Sequence, residues 1–268
     1  MDSMECGRFT GQVDPAGWWA SEKFDGWRAR WTGTELLTRK GHPYKTVPSW
    51  FLAGLPSVPL DCELWAPARV GGLTHVQRAA RAIDDSHWRD GKLQLMVFDA
   101  PSDAPFETRL GKLGDLLSQA HHAFPVVYSR LRDSGHLCSL LNAIERNGGE
   151  GVVITRPGSE YEVCGEGVRS DLRLKVKSYW DSEFRVVSHE FDERSTLDHL
   201  VCETQDGRTF KLRDGVSPAM YPDIGAVITI RAEGFTKYGV PQFGRLVAVR
   251  PPETQLGGEL RCWSPVKA

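Results

Sequence analysis

No stretch of the chain approaches the ~18 consecutive apolar residues that a membrane-spanning helix needs. The opening "MDSMECGRFT" also lacks the basic-then-apolar order of a secretory signal. A soluble, cytoplasmic protein is the expectation. Cysteines are few and scattered: of Cys6, Cys62, Cys138, Cys164, Cys202 and Cys262, the nearest two stand 26 positions apart. Neither a zinc-ligand spacing nor a disulfide framework is legible in that pattern. An excess of one charge is missing too, with 33 Lys and Arg against 35 Asp and Glu. Composition therefore leaves no footprint of nucleic acid, although a neutral protein can still gather its basic residues on one face. The sequence contains no G-x-x-x-x-G-K-[ST], no H-E-x-x-H and no G-x-S-x-G, which removes phosphate-loop hydrolases, zincins and serine hydrolases. Its eight histidines, His121-His122 among them, show no ligand spacing.

What is present is ordinary globular material: 268 residues, 40% hydrophobic and 25% charged, enough for one large domain or a large and a small one. The segment "GWWASEKFDGWRARWTGTELLTRKG" reads as two or three strands with a tight turn at Thr32-Gly33. Further strands are predicted at "VPLDCELWA", "KLQLMVFDA" and "GEGVVITRP". Helices are predicted over 74–83, over 106–120 with Leu110, Leu113, Leu116 and Leu117 on one face, and over 134–147, ending at Gly148-Gly149. In "LRLKVKS" the alternation puts Arg173, Lys175 and Lys177 on one strand face, and three cations there need an anion nearby. From about Glu183 the chain changes to short strands with turn signals such as Asp206-Gly207. Five or so strands in that length fit a small barrel of the oligonucleotide-binding type, with a sandwich piece as the alternative. The tail after Pro251-Pro252 reads as weakly specified.

The chemistry-bearing stretch is "WWASEKFDGWRARW", in which Lys23 stands among aromatics and Asp25, Gly26 and Arg28 follow. A lysine that must lose its proton and attack needs a partly dry pocket and groups that orient it. Downstream, in order, come "LDCELW" with Glu63, "MVFDA" with Phe98, "EGVVITRP" with Glu150, and "LKVK" with Lys175 and Lys177. An acid inside a strand such as "LDCELW" is costly if buried unpaired, which favours a functional role for Glu63.

This ordered series resembles the nucleotidyltransferase superfamily of ATP-dependent DNA and RNA ligases and mRNA capping enzymes. Within it, residues 18 to 250 are most similar to the minimal ATP-dependent DNA ligases of the small bacterial and viral type. The resemblance implies an α+β fold: a nucleotidyltransferase (ATP-grasp-like, adenylation) domain with mixed antiparallel sheets over 1–180, then a small OB-fold β-barrel over 181–268, hinged near Ser178 to Glu183. It implies ATP and Mg²⁺ (or Mn²⁺) as cofactors, nicked duplex DNA as partner, and a monomer. Lys23 would be the covalent nucleophile, assisted by Lys175 and Lys177. Glu22, Arg28, Arg39, Glu63, Phe98 and Glu150 would join those two lysines in holding the nucleotide, and Glu63 and Glu150 would hold the metal.

The chain departs from the family pattern at Cys62, where glycine is common, at Lys40, where asparagine is frequent, and at Gln242-Phe243-Gly244, where Arg-Phe-Pro is frequent. No R-x-D-K signature is present, which leaves Lys237 and Arg250 as weak candidates to orient pyrophosphate. Arg69, Arg78 and Arg81 offer a DNA-contact surface, with an ordinary amphipathic helix as the alternative. RNA ligation or capping, and a catalytically inactive nucleic-acid-binding module, remain as the other functions this pattern allows.

Overall fold

The computed structural model describes residues 4–67, 72–81, 85–88, 92–164, 168–194, 196–217, 221–236, 238–251 and 253–261. The chain divides into two compact units, the first ending at Val176 and the second running Lys177–Ser264.

In chain order the first unit begins with β1 (Cys6–Arg8), β2 (Trp19–Glu22), β3 (Trp27–Trp31), β4 (Leu36–Thr38), α1 (Ser49–Leu52) and β5 (Leu60–Trp65). It continues with α2 (Gly72–Arg81), β6 (Gln94–Asp99), α3 (Phe106–Leu116), β7 (Ala123–Pro125) and β8 (Ser129–Arg130). It closes with α4 (Ser134–Arg146), β9 (Val152–Thr155) and β10 (Ser170–Val176). These strands form two five-stranded sheets, ordered β1-β10-β9-β2-β8 and β4-β3-β5-β6-β7. Both are mixed, because β1 runs parallel to β10 and β7 parallel to β6.

Alternation explains the core. Ala29 and Trp31 on β3, Leu60, Cys62 and Leu64 on β5, and Leu95 and Val97 on β6 are buried with Val76 and Ala79 of α2 and Leu113 of α3 in one cluster. Leu117 is buried with them, while Leu110 and Leu116 pack at the edge, so the leucine stripe predicted over 106–120 is the face that docks. Trp88 fills the centre, edge-on to Phe51 and Tyr44. Helix α4 starts where Asp133 accepts from the His136 N–H at 2.7 Å. It stops before Gly148, whose φ of 82° is the left-handed conformation that glycine adopts without penalty.

The second unit consists of β11 (Tyr179–Phe191), β12 (Leu197–Glu203), β13 (Thr209–Leu212), β14 (Val227–Ala232), β15 (Gly234–Phe235), β16 (Pro241–Gln242), β17 (Arg245–Arg250) and β18 (Gly257–Arg261). A six-stranded sheet runs β13-β12-β11-β14-β17, and β18 adds to β11. The strands β15 and β16 make a separate hairpin. Its core is apolar: Phe184, Val186, Leu200, Cys202, Leu212, Ile228, Ile230 and Leu246.

Two expectations are corrected here. The tail after Pro251 is not weakly specified throughout, since Gly257–Arg261 pairs in register with Tyr179–Glu183. The connection expected near Ser178 to Glu183 lies mostly within β11, and the change of unit falls between Val176 and Lys177. Arg69, Lys237 and Cys262 lie outside the described residues. Among the described residues no helix is long and apolar enough to cross a membrane.

Candidate active site

Between the two sheets of the first unit lies a cleft of about 490 Å³, inside the usual size range for a small-molecule site. Cys6, Ser21, Val153 and Arg173 line it from one sheet, and Arg28, Glu63 and Phe98 from the other. Lys23 belongs to the lining as well, and the local sequence explains how it gets there. The ladder of β2 continues one residue past Glu22, with the Lys23 N–H donating to the Gly151 carbonyl at 2.8 Å. The chain must then cross to the second sheet. A Cβ on Gly26 would sit 2.3 Å from the Leu64 carbonyl oxygen, so only glycine lets the crossing pass this close to β5. Strand β3 follows at once and sets Arg28 opposite Glu63.

The Lys23 ammonium is paired with the Glu150 carboxylate, the two side chains being 26% and 21% exposed. Arg28 donates through Nε and Nη2 to the two oxygens of Asp61, at 2.7 and 2.5 Å, and through Nη2 to the Met4 carbonyl at 3.0 Å. Its guanidinium lies 4.6 Å from the centroid of the Phe98 ring. Asp61 is fully buried and takes a third bond from the Tyr161 hydroxyl at 2.7 Å. Burial pulls the Arg28 pKa down, but the charge of Asp61 outweighs it and holds the group firmly protonated.

Glu63 is different. Burial raises its carboxyl to about 7, against the pull of Arg28 and Lys23. No hydrogen-bond donor reaches it among the described residues. Glu22 is also raised from the usual carboxylate range by burial. Phe98 owes its position to an irregularity in the ladder: Asp61 pairs with Asp99 and Cys62 with Val97, so Phe98 is the extra residue of a β-bulge. Bulges re-aim side chains, and this one presents an aromatic ring to the cleft. Behind it Asp99, fully buried, is gripped by Arg109 through Nε and Nη2 at 2.7 and 3.2 Å, and by Arg173 Nη2 at 2.8 Å.

On the other side of Glu22 and Glu150 is a second, more open hollow of about 1090 Å³, which Asp25, Trp65 and Asn147 also line. Three carboxylates there disfavour a phosphate and suit a cation or a hydroxyl.

The geometry thus brings Glu22, Lys23, Arg28, Glu63, Phe98 and Glu150 together. Lys175 shares the face of Ser21 and Val153 by register and is half-buried. Four of the predicted residues, Arg39, Glu150, Lys175 and Lys177, are not part of the cleft lining, and Glu150 lines the second hollow instead. Arg39 is 64% exposed and paired with Glu5, and Lys177 belongs to the second unit, where its ammonium meets Glu233 at 2.9 Å. An anion that the cations of this stretch called for is Asp99, which pairs with Arg173 on β10. Sequence reasoning missed Asp61, Asp99, Arg109 and Tyr161. Asp61 could have been found by the same test that found Glu63, an acid inside an apolar strand.

No protein-family model matches the chain. Its fold is that of the nucleotidyltransferase-type ligases: it superposes on Chlorella virus DNA ligase-adenylate with a TM-score of 0.56 at 18% identity, over 93% of this chain and 99% of that one. A structure from a study of DNA binding with a minimal scaffold in Lig E DNA ligases gives a TM-score of 0.77 at 30% identity, over 93% of this chain and all of that one. A DNA ligase of Haemophilus influenzae is 31% identical over 238 residues, 85% of this chain and 84% of the relative. The chain belongs to the DNA ligase family, in its minimal ATP-dependent form. Enzymes of this family seal nicks by way of a covalent adenylate.

Proposed function

We propose that Lys23 is the residue that carries the adenylate of this ligase, and that the cleft between the two sheets is where ATP binds. The observation that carries this reading is the Lys23 amine, paired with Glu150 at a cleft that also holds an aromatic ring, an unpartnered carboxylate and a fixed guanidinium. The amine must shed a proton to attack, and Glu150 is the acceptor in contact with it. The new bond joins Lys23 Nζ to the α-phosphorus, the bond from that phosphorus to the bridging oxygen breaks, and pyrophosphate leaves. The 5′-phosphate of the nick then takes the AMP, and the 3′-hydroxyl displaces it.

Phe98 supplies the flat face for the adenine, and Glu63, with Glu22, faces the ribose. Arg28, with Nε and Nη2 taken by Asp61 and the Met4 carbonyl, offers Nη1 to a phosphate oxygen, and Arg39 offers an exposed guanidinium. Lys175, half-buried on the strand face of Val153, stabilises the charge that develops on the phosphates. A Mg²⁺ ion fits the donor set as well. Among the described residues no three carboxylate, histidine or cysteine side chains converge on one point, but Mg²⁺ takes only one or two carboxylates beside substrate phosphate oxygens and water. Glu63 and Glu150 would hold it, and when bound it would neutralise charge on the triphosphate. The second unit is read as an OB-type barrel, a reading supported by its six-stranded sheet and by the sharing of β11 among β12, β14 and β18. With a net charge near zero, binding of the nicked duplex would rest on local phosphate contacts and weaken with salt.

The test is to incubate the protein and Lys23→Ala with α-labelled ATP and Mg²⁺, then with nicked DNA. Label that survives denaturing electrophoresis on the parent alone, and that moves to DNA, is the expected result. Label on both proteins, or on neither after pyrophosphate treatment, would overturn the assignment of Lys23.

A further inference from the structure

Two buried arginines share one buried carboxylate behind the Phe98 ring, and they are not equivalent. Every nitrogen of Arg109 is used: Nε and Nη2 bond Asp99, while Nη1 donates to the Ala104 and Ser159 carbonyls. Arg173 donates through Nε to Thr155 Oγ1 at 3.3 Å and through Nη2 to Asp99 at 2.8 Å. Its Nη1 has no hydrogen-bond partner among the described residues, although Arg173 is only 2% exposed. Asp99 cannot supply the missing bond, because its oxygens already accept from Arg109, Arg173 and the Ala100 N–H at 2.9 Å. A buried donor left without a partner costs free energy, and such groups in native proteins call for an explanation. Arg109 is a structural arginine. Arg173 lines the cleft.

The position of Arg173 within the cleft says what it can meet. A triphosphate must reach Lys23, which is a quarter exposed and next to Glu150. The base then occupies the inner end, where the Arg173 guanidinium lies 5.5 Å from the centroid of the Phe98 ring and burial pushes the Tyr128 hydroxyl up to about 12. Asp99 offers one negative charge against two arginines, so this inner end favours acceptor atoms. A purine carries such acceptors on its ring nitrogens.

We infer that Arg173 is a specificity-determining residue of the nucleotide site, donating a hydrogen bond to a ring nitrogen of the purine that lies against Phe98. This rests on the assignment of the cleft to ATP and deepens it. A charged donor to a ring nitrogen is worth a factor of about ten or more in binding. It is also selective, since replacing that nitrogen by C–H leaves the guanidinium facing a group that cannot accept.

The experiment is an equilibrium titration of Lys23→Ala, which cannot turn over, with ATP and with 1-deaza-, 3-deaza- and 7-deaza-ATP. One analogue should bind at least about tenfold more weakly than ATP. Adding Arg173→Met should weaken ATP by a similar factor and erase the difference between ATP and that analogue, whereas Arg173→Lys should keep part of it. Equal binding of all four nucleotides to the Lys23→Ala protein would overturn the inference without need of an Arg173 variant. So would discrimination that survives Arg173→Met. Failure of the ATP reading itself looks different: ATP would not bind at all, and the parent would take no label.

Discussion

The two units handle charge in opposite ways. In the first, four charged side chains lie in or near the core: Asp61, Asp99, Arg109 and Arg173 are all at most 2% exposed. In the second, ion pairs such as Arg213 with Asp198 and Arg208 with Asp206 sit at the surface, above a core of apolar side chains. Burying an ion pair rarely stabilises a fold more than a well-packed apolar pair would. The first unit therefore keeps its buried charges for their placement of other groups. Asp61 fixes the fork of Arg28, and Asp99 anchors the strand end that carries Phe98. Among the described residues the second unit has no Asp, Glu, Lys or Arg in its buried core, and its charged pairs, such as Lys177 with Glu233, are at least partly exposed.

The sharpest way to break this contrast is to remove one buried acid. Asp99→Ala strands two guanidinium groups and should cost about 3–5 kcal/mol in urea unfolding of the first unit. A cost near zero would mean that the charges there are as dispensable as those on the surface. Next in size is Gly26→Ala, whose Cβ must displace the Leu64 carbonyl or the Glu63 side chain. A loss of about 1–3 kcal/mol should come with a fall in adenylate formation, because Lys23 and Arg28 flank the crossing.

Third is Glu63→Gln, followed through pH. The folded protein keeps the Glu63 proton up to about 7, against an ordinary value of 4.5. Between those values the folded state binds more protons than the unfolded one, so Glu63 lowers stability as pH rises through that window. The glutamine variant should gain about 3 kcal/mol at pH 8, with the gain shrinking as pH falls through 7 and gone below about 4.5. A gain independent of pH would place its cause elsewhere. Smallest is Asp198→Ala in the second unit. Its exposed carboxylate is held below the usual range by hydrogen bonds from His199 and Arg213. The urea midpoint should not move measurably, and a large shift would abolish the distinction between the units.

Much of this architecture was legible because periodicity survives in the sequence. Leu113 and Leu117 marked the docking face of α3, and the alternation in "LDCELW" marked β5 together with its misplaced acid. The strands that went unread, β1, β7, β8 and β16, are two or three residues long and too short to show a period. Strand β18 was missed for a different reason: its partner is β11, far earlier in the chain, and glycines occupy its first two positions. In the site, Lys23, Glu63, Phe98 and Glu150 were readable as an ordered series. What they rest on was not. Side-chain alternation put Arg173 with two lysines, but no local pattern reveals that Asp99 lies beneath it, or that Phe98 is the surplus residue of a bulge.

One consequence follows from the parallel pairing of β1 with β10, which matches Cys6 with Ser170 and Arg8 with Lys175. The segment that lends Cys6 to the cleft and the Met4 carbonyl to Arg28 precedes every other strand of its unit, yet the strand that holds it, β10, is the unit's last. Until Val176 has been synthesised the cleft lacks a wall. A chain cut short before that point lacks Arg173 and the ladder that holds Cys6, so the two ends of this unit must meet before the cleft exists.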